Sequence, residues 1–198
     1  MIAGLLLASG ASRRFGSNKL VAPLEGRPVV QWSAQALVSA VDETWVVVPA
    51  RSAEVRAALD ELPLHWVENP VAHEGMASSI RAGIAALPAE TEAVVITLGD
   101  QPLIDGGVIR RVVAQWRAAS PRPAAVVTCY ADGRGHPTLF GSALFSQLLA
   151  LEGDRGAREL LASLGEAVAE VDVPSVRPAD VDTPEVLASL ARRDQPSS

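Results

Sequence analysis

The stretch Leu7-Ala8-Ser9-Gly10-Ala11-Ser12-Arg13-Arg14-Phe15-Gly16-Ser17-Asn18-Lys19 gathers the residue types that hold anions. Gly10 and Gly16 give backbone freedom and room for close approach. Successive free amides in such a loop can form an anion-binding concavity. Arg13, Arg14 and Lys19 add positive charge, and arginine suits bidentate phosphate contacts. Ser9 and Ser12 add hydroxyl donors. The glycine spacing matches neither GxxxxGK[ST] nor GxGxxG. From residue types alone, a phosphate-holding loop and an ordinary solvated loop both stay open.

Acidic residues offer the complementary chemistry. In VVITLGDQPLI (94–104), Asp100 falls at the end of an apolar run. A carboxylate there can ligate magnesium, or it can cap the turn that Pro102 shapes. In DVDTPEVL (180–187), Asp182 or Thr183 can cap a helix opened by Pro184. ENPVAHEGMASSIRAG (68–83) places Asn69 at a strand end, Gly75 before a helix and Ser78 and Ser79 in its first turns. That arrangement suits an anion or polar base, or plain capping. His136 precedes Pro137 with no second histidine or cysteine at zinc spacing, so it reads as a loop histidine. Asp154, Arg155 and Arg158 can tie a loop together by charge. Trp32, Trp45, Trp66 and Trp116 fall in periodic elements and read as packing residues.

These residues must be placed by regular elements. Strand-like runs occur at 2–8, 44–50, 64–69, 92–100, 123–130 and 168–173, with another expected within 135–141. Helical patterns occupy 28–40, 52–62, 76–88 and 105–119, with shorter runs near 142–151 and 156–164. Pro28 suits the first helical position. Strand and helix in alternation imply an α/β fold with a mostly parallel sheet. The loop after the first strand then leaves its C-terminal end, where open α/β sheets bind ligands. No repeat or long linker divides residues 1–198, so one domain is expected, with a frayed tail at 192–198.

The chain has 198 residues, 48% hydrophobic and 20% charged, which is foldable rather than disordered. Its net charge of −6 argues against a polynucleotide partner, though not against a nucleotide. No apolar run approaches the roughly 20 residues a membrane span needs. The basic residues follow the first apolar run, the reverse of a signal peptide. The single Cys129 excludes an internal disulfide and a cysteine metal cluster. A cytoplasmic location is expected.

Residues 7–19 resemble the LAAGxSxRxGxxK signature of the nucleotidyltransferases, and within them the MobA-like NTP transferases. The similarity is to the molybdenum cofactor cytidylyltransferases in particular. Further motifs follow in family order over residues 2–187: NPxxxxGxxxS at 69–79, GDxP at 99–102, GHP at 135–137, GDxGAR at 153–158 and DxDTPED at 180–186. Val186 stands where the last of these has its final aspartate.

The resemblance implies a three-layer α/β/α Rossmann-like nucleotidyltransferase fold with a mostly parallel, mixed sheet. Residues up to about 100 would serve the nucleotide, and 101–190 the acceptor. It implies transfer of CMP from CTP to molybdopterin, with Mg²⁺ and release of pyrophosphate. Leu7, Ala8, Ser9, Gly10, Ser12, Arg13, Arg14, Gly16, Lys19, Asn69, Gly75, Ser79 and Asp100 would bind the nucleotide. Ser9 stands where the cytidylyl group usually has alanine and the guanylyl-using relatives have a second glycine, and the missing glycine favours CTP over GTP. Lys19, Arg13 and Asp100 would be catalytic, Asp100 and Asp182 would hold the metal, and His136, Arg155 and Arg158 would meet the acceptor. A molybdoenzyme or its chaperone would be the protein partner, with no membrane or polynucleotide partner. The alternatives are a sugar phosphate or other small phosphorylated acceptor, and a non-catalytic cofactor-binding assembly protein.

Overall fold

The computed structural model describes residues 1–10, 15–153 and 156–191. Ser12, Arg13, Arg14, Asp154, Arg155 and the tail from 192 lie outside the described residues.

The chain opens with β1 (Ile2–Leu7), then a small antiparallel hairpin, β2 (Pro23–Leu24) and β3 (Arg27–Pro28). Glu25 and Gly26 turn the hairpin, both with positive φ. Next come α1 (Val29–Val38), β4 (Glu43–Pro49), α2 (Ala53–Ala58), β5 (His65–Asn69), α3 (Met76–Ala85), β6 (Ala93–Leu98) and α4 (Gly106–Ala118). The last part holds β7 (Ala125–Tyr130), β8 (Gly133–Gly141), α5 (Phe145–Leu149), α6 (Arg158–Ser163), β9 (Val168–Val173) and α7 (Pro184–Ala191).

The seven-stranded sheet has the order β5-β4-β1-β6-β8-β7-β9. β1, β4, β5 and β6 are parallel, β8 runs antiparallel to both β6 and β7, and β9 is parallel to β7. The sheet is therefore mixed and mostly parallel, as an α/β Rossmann-like nucleotidyltransferase fold requires. The chain runs outward from β1 to β5 and returns to β6 on the other side of β1. Ligand crevices form beyond the strand ends at such a reversal.

β1 is buried along its whole length, which explains its unbroken apolar run. Its alternate residues feed two cores. Ile2 and Leu6 pack with α1, α2 and α4 through Ala34, Leu37, Val55, Leu59, Ile109 and Trp116. Leu5 and Leu7 pack with α3 and α5 through Ile80, Ile84 and Leu148. Gly83 lets α3 settle on β1, since a Cβ there would lie 2.4 Å from Leu5 Cδ1.

Several elements differ from the sequence expectation. α2 ends at Ala58 rather than at 62, and α3 at Ala85 rather than at Pro88. Pro28 stands one residue before α1, because it closes the hairpin as β3's last residue. Trp45 and Trp116 are core residues, as expected. Trp32 and Trp66 are partly buried and carry the guanidinium groups of Arg27 and Arg56 on their rings.

Candidate functional site

Three segments meet beyond the ends of β1 and β6. The β1 loop continues into a short 3₁₀ turn, Lys19–Val21, started by Asn18, whose side chain accepts from the Leu20 amide. β6 ends in Gly99-Asp100. The Gly99 amide donates to Leu7 O at 2.9 Å. A Cβ on Gly99 would stand 3.3 Å from that oxygen and from Val30 Cγ2, so the glycine serves contact with β1 and α1. The third segment, between β9 and α7, crosses the same end of the sheet. Val181 donates its amide to Asp100 O at 2.8 Å and buries its side chain with Leu24, Val29 and Leu190. That anchors Asp180 and Asp182 on either side of it.

Lys19 Nζ stands 2.7 Å from Asp100 Oδ2 and 2.8 Å from Asp182 Oδ1. Its side chain is almost wholly buried. Burial opposes the charge on Lys19, but the attraction and hydrogen bonds of the two carboxylates outweigh it and hold the ammonium pKa above the ordinary lysine value. Thr183 supplies the hydroxyl that accepts from the Val186 amide at the start of α7, and Asp182 meets Lys19. The resemblance placed Lys19 on the triphosphate; here the ammonium lies on the two carboxylates expected to hold metal.

Both carboxylates already face one cation at hydrogen-bond distance. Their hard oxygen donors suit Mg²⁺ or Mn²⁺, with phosphate oxygens and water completing the shell. The donor set therefore fits such an ion. Another cluster of possible ligands, Cys129, Glu170 and Asp172, lies on β7 and β9. There the Glu170 carboxylate is engaged by Arg134.

Two depressions flank the cluster. The smaller, about 350 Å³, is lined by Ala8, Gly10, Gly16, Asn18, Pro49, Arg51, Ser52 and Val55 among others. Ser52 is buried, and its Oγ has no hydrogen-bond partner among the described residues. The larger, about 720 Å³, has an apolar floor of Met76, Ile80, Ile96, Leu98, Phe140 and Leu161. Its polar wall includes Gln101, Asp132, Arg134, His136, Arg158, Arg177 and Asp180. Asn18 and Leu20, which flank Lys19, thus line the smaller hollow, while Gln101, next to Asp100, and Asp180 line the larger.

Ala8, Gly10 and Gly16 line the smaller hollow. Leu7 is buried, and the Ser9 hydroxyl donates to Val47 O at 3.0 Å, a tie to β4. Asn69 is buried and donates to the hydroxyls of Ser78 (2.9 Å) and Ser79 (3.1 Å), while its oxygen accepts from the Val71 amide. It ties the end of β5 to the first turn of α3. Gly75 has φ 103 at the entry to that helix. His136 and Arg158 line the larger cleft. His136 Nδ1 is 3.2 Å from Ile96 O, and burial of the ring pushes its pKa below the usual histidine value.

Sequence reasoning missed Arg51, Ser52, Gln101 and Asp180. Asp180 had a signal, because it alternates with Asp182 about a buried valine. Burial raises the Asp180 pKa, against the hydrogen bond it receives from Gln101 Nε2 at 2.6 Å.

The family described as the MobA-like NTP transferase domain matches residues 4–171. The chain belongs to this family of nucleotidyltransferases. It is 30% identical to the purine catabolism protein PucB of Bacillus subtilis over 96% of this chain and 95% of that one. It is 32% identical to the 2-C-methyl-D-erythritol 4-phosphate cytidylyltransferase of Prochlorococcus marinus over 66% of this chain, spanning 62% of that enzyme's length. A probable molybdenum cofactor guanylyltransferase of Haloferax mediterranei is 35% identical over 54% of this chain and 51% of that one. Among solved structures, Rv0371c of Mycobacterium tuberculosis superposes with a TM-score of 0.85 at 30% identity, covering 96% of this chain and 97% of that one. Its complex with manganese superposes at 0.78 and 29% identity, with the same coverage. The expected fold and broad family are found; the likenesses extend to cytidylyltransferases of a sugar-alcohol phosphate as well as to a molybdenum cofactor enzyme. Among the described residues, no helix is long and apolar enough to cross a membrane.

Proposed function

We propose that this protein transfers a cytidylyl group from CTP to a small phosphorylated acceptor and releases pyrophosphate. The observation that carries the reading is the meeting of Lys19, Asp100 and Asp182 between two hollows, one for each substrate. The smaller hollow takes the nucleotide, with the backbone at Gly10 and Gly16 admitting the phosphates. The larger takes the acceptor. An oxygen of the acceptor phosphate attacks the α-phosphorus of CTP as the bond from that phosphorus to the bridging oxygen of the β-phosphate breaks. A phosphate monoester, whose second pKa is about 6, is already anionic near neutral pH, so no strong base is needed.

Alignment and charge stabilisation supply the catalysis. Lys19, together with Arg13, offsets charge on the triphosphate and the departing pyrophosphate. Asp100 and Asp182 would hold a divalent ion, which polarises the α-phosphoryl group when bound. The manganese complex of Rv0371c supports such an ion. Arg158 faces the acceptor phosphate. It lines the larger cleft and has no ion pair among the described residues, whereas Arg134 and Arg177 are engaged by Glu170 and Asp132.

The curated cytidylyltransferases that the chain resembles favour CTP and an acceptor such as a sugar-alcohol phosphate. A second reading, molybdopterin as the acceptor, is favoured by the apolar floor of a cleft roomy enough for a fused ring system. A molybdoenzyme or its chaperone would then receive the product. The test is pyrophosphate release with Mg²⁺ and each of CTP, GTP, ATP and UTP. Each nucleotide is paired with 2-C-methyl-D-erythritol 4-phosphate, with molybdopterin and with no acceptor. Release with CTP and one acceptor is expected. No release from any pair, with CTP still bound, would turn the reading to a non-catalytic binding protein.

A further inference from the structure

Three residues in the polar wall of the larger cleft, Gln101, His136 and Asp180, offer hydrogen-bond acceptors. Gln101 lines this wall with only 8% of its surface exposed. Its amide orientation is fixed by Asp180. A carboxylate accepts, so the Gln101 NH₂ group must face it at 2.6 Å. The Gln101 Oε1 is thereby turned away, and it finds no donor among the described residues. His136 adds a second acceptor. Its Nδ1 lies against the Ile96 carbonyl, which only accepts, so Nδ1 carries the proton and Nε2 of the neutral ring keeps a lone pair. Asp180 adds the remaining lone pairs of its carboxylate. The guanidinium groups of Arg134 and Arg177 are held by Glu170 and Asp132 and do not answer these acceptors.

We propose that Gln101 is a specificity-determining residue whose Oε1 reads a hydrogen-bond donor, N–H or O–H, on the body of the acceptor substrate, with His136 and Asp180 beside it. The inference rests on the nucleotidyl-transfer reading and assigns what the cleft selects. A buried acceptor left without a donor keeps its desolvation penalty, so a substrate without a donor at this point is rejected while one with a donor is held. Ring N–H or amino groups of a pterin and hydroxyls of a sugar-alcohol phosphate share this chemistry.

The experiment measures pyrophosphate release by the wild-type protein, Gln101→Met and Asp180→Asn, with CTP and acceptor varied in turn. The acceptors are molybdopterin and 2-C-methyl-D-erythritol 4-phosphate. Methionine keeps the length of glutamine and loses its carbonyl; Asp180→Asn keeps the shape of the side chain and removes its charge. The expected result is a rise of about tenfold or more in KM for the acceptor used by the wild type, with KM for CTP and the thermal midpoint little changed. The acceptor that supports turnover identifies the source of the donor. An unchanged acceptor KM in both variants, or a fall in kcat alone, overturns the inference while leaving nucleotidyl transfer intact. No release by the wild type with either acceptor rejects the transfer reading, and the Gln101 assignment with it.

Discussion

The Lys19 ammonium and the Asp182 carboxylate, 163 residues apart in the chain, stand 2.8 Å apart, and the same ammonium is 2.7 Å from Asp100. One cation therefore already bridges the two acids that would ligate a metal. A divalent ion and the ammonium compete for the same oxygens, and a triphosphate gives Lys19 somewhere else to go. Lys19→Met is expected to bind Mn²⁺ about tenfold more tightly than wild type without nucleotide, as read by electron paramagnetic resonance. Its CTP-dependent turnover is expected to fall by roughly a hundredfold or more, as for loss of a charge-stabilising donor. Equal or weaker Mn²⁺ binding by the variant would show that the two cations do not compete.

Asn69 distinguishes an internal tie from direct nucleotide contact. Its amide holds the Ser78 and Ser79 hydroxyls of α3 and the Val71 amide, tying them to the end of β5. Asn69→Ala leaves buried hydroxyls without this donor and is expected to cost about 1–3 kcal/mol in urea unfolding. Any rise in KM for CTP should accompany that loss. A raised KM at unchanged stability would instead place the side chain on the nucleotide, as the family resemblance implied.

The same residue shows where sequence reading reaches its limit. Asn69 at a strand end is visible in the sequence, but which way its amide turns depends on α3, which packs against it from beyond a loop. The parallel strands were legible because burial on both faces makes continuous apolar runs, as in β1 and β6. The β2–β3 hairpin was not, because each of its strands has only two residues and its turn needs a positive φ at Glu25, an ordinary non-glycine residue. Lys19, Asp100 and Asp182 could be singled out by type and motif. Their mutual contact is set by the sheet order and by Val181, whose amide bonds Asp100 and whose side chain anchors the segment. Gln101 carried no signal of its own, since its significance lies in an amide orientation imposed by Asp180.

Tyr130 provides a spectroscopic probe of the acceptor side. It is the single tyrosine in the chain, and its hydroxyl donates to His136 O at 2.8 Å. Burial first, then the nearby charge of Asp105, pushes its pKa up to about 12 from 10.0. The folded state thus holds the proton more tightly than the unfolded state. The resulting stabilisation is full below pH 10 and is lost as pH rises through about 12. Tyrosinate absorbance at 295 nm should titrate near 12 in the native protein and near 10 in denaturant. A native midpoint near 10 would mean that the ring is not buried beside Asp105 as the structure places it.

Arg158 and Arg177 both line the larger cleft, but their engagements differ. Arg177 donates through its backbone amide to Asp132 Oδ1 at 2.8 Å and through Nε to Oδ2 at 3.1 Å. Arg158 has no such carboxylate partner among the described residues, so of the described arginines in the cleft wall its guanidinium is the one available to an incoming phosphate. Arg158→Gln is therefore expected to raise KM for the phosphorylated acceptor by about tenfold or more, with KM for CTP unchanged. Hydrogen bonds to charged groups contribute about 1.5–3 kcal/mol, and each 1.4 kcal/mol is a factor of ten. Arg177→Gln, whose loss falls on a surface ion pair, should leave acceptor KM within about twofold, because exposed pairs contribute about 1 kcal/mol or less. Steady-state kinetics with the acceptor varied at saturating CTP compares the two variants. Equal effects would remove the distinction between the engaged and the available guanidinium, and a larger effect at Arg177 would move the phosphate contact to the segment that carries Asp180 and Asp182.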